Sequence, residues 1–197
     1  MHTFRLFALL LLVAGSAALA VDLTRVPYKV GERLANVPTK PATEFREIKW
    51  DDLIPSNWNP ADAFKDFDLA NLQDGDPRAM DALARMGEVW ANAPVEPSLN
   101  GAAVRIAGFV IPLERVKDEV REFLLVPYFG ACIHVPPPPA NQIIYVISDK
   151  PLKNVQTMDA MWVSGILEVS AGDSSWGRSA YRMQAQATAP YSLPGNK

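Results

Sequence analysis

The chain has 197 residues, 49% of them hydrophobic, with 22 acidic against 19 basic side chains and a net charge of −3. That length supports one domain with an elaboration, and a mildly acidic chain with no basic block excludes nucleic acids and anionic membrane surfaces as principal ligands. A single cysteine excludes an internal disulfide framework.

Residues 1–20 read as a secretory signal. His2 and Arg5 precede the apolar run from Leu6 to Ala14, and Ala18-Leu19-Ala20 supplies a small-x-small cleavage site. The run is too short to span a bilayer, so the expectation is an exported, periplasmic chain with no membrane insertion once the signal is removed. Losing Arg5 leaves 18 basic against 22 acidic residues, a net charge of −4, and Cys132 and His134 become the chain's one cysteine and one histidine.

Residues 21–47 carry little periodicity and are expected to form an extended N-terminal arm. Residues 48–96 read as a helical elaboration. Trp50, Leu53 and Ile54 mark one helical turn stopped by Pro55. Phe64, Phe67 and Leu72 suggest a short amphipathic helix over 60–72. Asp76-Pro77 is a helix start with an N-cap acceptor followed by proline. Met80, Leu83, Ala84, Gly87 and Trp90 then recur at helical spacing to about Asn92, and this stripe is expected to be buried.

Beyond the linker 93–98 the period changes, and residues 97–190 are assigned to a β domain, with 191–197 as a tail. Val104–Ile111 is a strand whose apolar set is expected to switch face at Gly108, as a bulge would require. Phe123–Tyr128 and Ile143–Ile147 are apolar on both faces, which calls for cover on both sides. Trp162–Val169 contains an internal Gly165, and Tyr181–Ala187 alternates, with one wet face. The fold expected is α+β, mainly β: a five-stranded OB-like barrel or strongly bent sheet with short N-terminal helices packed on it. Residues 149–160 leave room for little more than a turn between the third and fourth strands.

The chemistry concentrates in Cys132-Ile133-His134 and the prolines Pro136, Pro137, Pro138 and Pro139, within a long connection between two buried strands. Such connections are usually functional or disordered, and the prolines lower the entropy cost of order. If Cys132 to His134 is extended, both side chains project to one side, and a thiolate with an imidazole suits zinc or copper. Two ligands do not complete a site; Glu114, Glu122, water or a second copy of the chain would have to supply the rest. Three other readings stand beside this one. Cys132 is a small buried hydrophobe and His134 an anchor; the pair forms a thiol nucleophile and base, oriented by Asn141 or Gln142; or the prolines dock a partner's aromatic groove, with Asn141 and the loop residue Trp176 as further contacts. No oxyanion hole or substrate-activating motif accompanies the pair, so an enzyme is the weakest of the four.

The stretch Glu122-Phe123-Leu124-Leu125-Val126-Pro127-Tyr128-Phe129-Gly130-Ala131-Cys132-Ile133-His134-Val135-Pro136-Pro137-Pro138-Pro139-Ala140-Asn141-Gln142 resembles the signature of domain-of-unknown-function family 3299 (DUF3299). Ile48-Lys49-Trp50-Asp51-Asp52-Leu53 and the Gly108–Glu114 stretch are similar to it as well, so the resemblance covers most of 48–188. It implies an exported bacterial protein. By association with neighbouring transporters and zinc-responsive proteins, it also implies a metal-related accessory role, for which the residues themselves offer Cys132, His134 and Glu114 as candidate ligands. The partners implied are an ATP-driven transporter component or a second copy in a dimer.

Overall fold

The computed structural model describes residues 28–35, 44–65, 76–132 and 137–192. The signal segment, Phe67, Leu72, His134 and Pro136 lie outside the described residues, as do 193–197 of the tail. Six strands are present: β1 (Arg46–Glu47), β2 (Ala102–Pro112), β3 (Glu119–Val126), β4 (Ile144–Lys153), β5 (Ala160–Ser174) and β6 (Gly177–Pro190). One α-helix, α1 (Pro77–Ala91), precedes β2. The fold is thus α+β and mainly β, as expected.

The strand order is β1-β2-β3-β4-β6-β5, and β5 also pairs with β2, so the five long strands form a ring with β1 as an appended edge. Within the ring, β4 and β6 run parallel and every other pair is antiparallel. The link from β4 to β5 is a turn over 154–159, as the short spacing demanded.

Alternation builds the interior. Val104, Ile106 and Val110 from β2 meet Phe123 and Leu125 from β3, Ile144 and Val146 from β4, Val163 and Leu167 from β5, and Tyr181, Met183 and Ala185 from β6. Truncating a ring in this core, Phe123→Ala for example, is worth about 3–5 kcal/mol. The 3-10 turn Trp50–Leu53 adds Trp50 and Leu53 to the same cluster. It is tied there by the Trp50 indole, which donates to Ala107 O at 2.7 Å.

Two interior-facing glycines permit close approach. A Cβ on Gly108 would sit 2.8 Å from Leu125 Cγ and 2.9 Å from Trp50 Cζ2. On Gly165 it would sit 2.1 Å from Gln184 O. The apolar set of β2 does not switch face at Gly108, contrary to expectation. Its register with β5 runs unbroken from Ala102–Leu167 to Phe109–Ala160. Both faces are buried past Gly108 because the outer face acquires a core of its own. The bulges lie instead in the β3–β4 ladder, at Val120/Glu122, and in the β5–β6 ladder, at Ser164/Gly165 and Val169/Gly172.

That second core joins Phe109, Ile111, Leu124, Val126, Ala131, Ile143 and Met158 on the outer face of β2, β3 and β4. Residues 28–35 of the arm supply its cover. Tyr28 stands edge-on to Phe109 at 5.0 Å between ring centroids. Gly31 N donates to Phe129 O at 2.7 Å and Phe129 N to Glu32 O at 2.9 Å. The two-sided burial of β3 therefore comes from the arm and from the residues that follow β3.

Helix α1 starts where the cap signal put it, with Asp76 Oδ1 accepting from Arg78 N at 2.9 Å and Pro77 in the first turn. The buried-stripe expectation is wrong for this helix. Met80 is 67% exposed and Leu83 56%, while Ala82 is buried. Of the expected stripe only Trp90 is half-buried; with the half-buried Ala79, Met86 and Val89 it shows that the inward face is rotated by about a third of a turn from the one expected. Among the described residues it packs mainly against the 3-10 turn Pro60–Phe64, which does not reach Met80 and Leu83.

Candidate functional site

The long connection from β3 to β4 begins on the second core. Pro127 and Ala131 are buried, and Gly130 N donates to Met158 Sδ at 3.2 Å. Gly130 has φ 83° and Cys132 has φ 63°. The left-handed conformation is uncommon for a residue with a Cβ and costs on the order of 1 kcal/mol. Cys132 thus enters residues 133–136 from a left-handed backbone, and its expected alignment with His134 falls on those residues, outside the described ones.

The Cys132 thiol is half-buried and packs on the outer-face core near Tyr128. Burial pushes its pKa up to about 11. Among the described residues no cation or helix N-terminus offsets that burial, which favours the protonated thiol over an activated nucleophile. Glu114 is exposed in the β2–β3 connection, and Glu122 is occupied as acceptor for the Tyr145 hydroxyl. Among the described residues, no three His, Cys, Asp or Glu side chains gather to hold a metal ion.

On the far side of the connection, Pro137 is exposed, Pro138 buried and Pro139 half-buried, with φ −53° and ψ 149° at Pro139, near polyproline II. The prolines therefore are not a free docking strip: at least one is packed inward. Pro137 lies against the tip of the β5–β6 hairpin, where its Cβ would be 3.3 Å from a Cβ on Gly177. Trp176, beside it at that tip, is 37% exposed.

Asn141 was expected to face a partner and is instead fully buried. Its amide donates to Pro94 O at 2.8 Å, and Gln142 Nε2 donates to Trp50 O at 2.8 Å. Both residues tie the connection to the N-terminal elaboration, and their amide oxygens have no partner.

A second feature of the outer face was not singled out from sequence. Glu122, Tyr145 and Arg182 stand side by side on β3, β4 and β6, and with Ile147 and the bulge Ser170–Gly172 they line a cavity of about 210 Å³. Tyr145 donates to Glu122, and its pKa is raised first by that hydrogen bond and then by burial. The three polar residues are spread over sixty positions and meet only through strand register, which no local motif announces.

No curated protein sequence matches the chain. Among solved structures, it is similar to a DUF3299 family protein from Pseudomonas aeruginosa PAO1 at 38% identity and a TM-score of 0.60, covering 77% of this chain and 99% of that one. An OBody bound to hen egg-white lysozyme matches at 15% identity and a TM-score of 0.30, over 47% of this chain and 83% of that one, a likeness too low to carry an argument. The family described as "Protein of unknown function (DUF3299)" matches residues 50–190, so the chain belongs to the DUF3299 family.

Proposed function

We propose that this is an exported, non-enzymatic docking protein that engages another exported protein through the exposed edge formed by Pro137 and Trp176. The carrying observation is that Pro137 packs on the hairpin tip beside Trp176. Both are anchored, Pro137 by the buried Pro138 and by Asn141, Trp176 by the hairpin. A tryptophan and a proline held in place lose little entropy on binding and bury large apolar area, which is what a partner's aromatic groove selects. A transporter component is one partner of this kind, and a second copy of the chain is another.

The docking edge itself carries no metal ligand in Pro137 or Trp176, and burial holds the nearby Cys132 thiol protonated in the unliganded chain. A photoreactive side chain at position 176, introduced into the full chain in its native host, tests the reading. The expected result is one discrete adduct with an exported protein or with a second copy, persisting in chelator and weakened by Pro137→Ser. No adduct, or one that chelator abolishes, contradicts it.

A further inference from the structure

We propose that the outer-face cavity between Glu122, Tyr145 and Arg182 binds a single neutral sugar ring, a site independent of the Pro137–Trp176 edge. Its floor is set by register. Tyr145 pairs with Arg182 across the parallel β4–β6 ladder, and Leu124 pairs with Tyr145, placing Glu122 two residues along on the same face of β3. The bulge between Val169 and Gly172 brings the β5–β6 hairpin over one side, where a Cβ on Gly172 would lie 3.9 Å from Tyr145 Cδ2. Bulges of this kind re-aim chain beside binding sites.

The lining selects the ligand class by its charges and their spacing. Tyr145 occupies part of the Glu122 carboxylate, which retains free lone pairs. Arg182 makes no hydrogen bond or ion pair among the described residues and offers its donors to the opening. A free anion would meet Glu122, and also Glu114, whose charge reaches Tyr145. A free cation would meet Arg182. A neutral ligand that both donates and accepts satisfies the two ends together. Glu122 and Arg182 stand on strands two ladder spacings apart, about 10 Å between backbones. A ring with hydroxyls on opposite edges can meet the side chains projecting from both strands at once. Ile147 and the Tyr145 ring give the ring's C–H face an apolar surface. The cavity is below the roughly 300 Å³ at which drug-sized pockets begin, consistent with one ring rather than a chain.

Saturation-transfer NMR on the full chain, titrated separately with glucose, galactose, N-acetylglucosamine and alanine, tests this. At least one sugar is expected to bind, with affinity falling tenfold or more in Arg182→Gln and in Glu122→Gln. Alanine is expected not to bind. Arg182 is exposed, so Arg182→Gln should keep the wild-type melting temperature and separate lost binding from lost fold. Binding by none of the three sugars overturns the proposal. So does sugar binding unchanged in a folded Arg182→Gln, or binding of alanine in place of the sugars.

Discussion

At Cys132 the deciding quantity is the protonation state of one sulfur. Its pKa is moved by burial from 9.0 to about 11, so at neutral pH the thiolate fraction falls by about 100-fold relative to an unshifted thiol. Alkylation of the native protein at pH 7.5 should therefore be about 100-fold slower than in denaturant. The rate should rise about tenfold per pH unit and level off near pH 11. A native rate equal to the denatured one, or a plateau near neutrality, would mean an activated thiol. The linkage runs in the same direction. Because the folded state holds this proton more tightly, its contribution to stability is intact below pH 9 and is lost as pH rises through 11.

Elements are held to the ring by a few buried polar ties. The Tyr181 hydroxyl, fully buried, donates to Leu53 O at 2.8 Å and accepts from Glu96 N at 2.6 Å. It thus joins β6 to the N-terminal turn and to the linker. Tyr181→Phe leaves both groups unpaired, and denaturant melts should show a loss of about 1–3 kcal/mol. Helix α1 makes the contrasting case. Met80→Gln and Leu83→Gln change exposed positions and should shift stability by no more than about 0.5 kcal/mol, whereas a loss above 2 kcal/mol would place them in a core. Helical spacing announced an apolar stripe and a start at Asp76-Pro77. Which side faces inward depends on the element it packs against, here the turn Pro60–Phe64, and Ala79, Ala82, Met86 and Val89 are apolar enough to serve.

Across the whole molecule, the five strands and the irregularity at Gly165 were legible because alternation and interior glycines are local signals, whereas Gly108 marks a close approach to Leu125 and Trp50 and no bulge. The second core was only half legible. Strands apolar on both faces required cover, but nothing in residues 28–35 said that they provide it through backbone bonds to Phe129. The same limit applies to the site. Cys132 drew attention as a rare residue type, yet its left-handed backbone and its half-burial against the outer-face core are not written in a motif. Asn141 looked available beside a proline run and is a core tie. Glu122, Tyr145 and Arg182 became neighbours only once the ring closed.

The central claim is that Pro138, Asn141 and the β5–β6 hairpin hold a docking edge in place without metal, and calorimetric titration of the reduced full chain with zinc tests it most directly. The account predicts weak binding that is the same for the wild-type protein, Cys132→Ser and His134→Ala. Tight, one-to-one binding by the wild type that both substitutions abolish would contradict it.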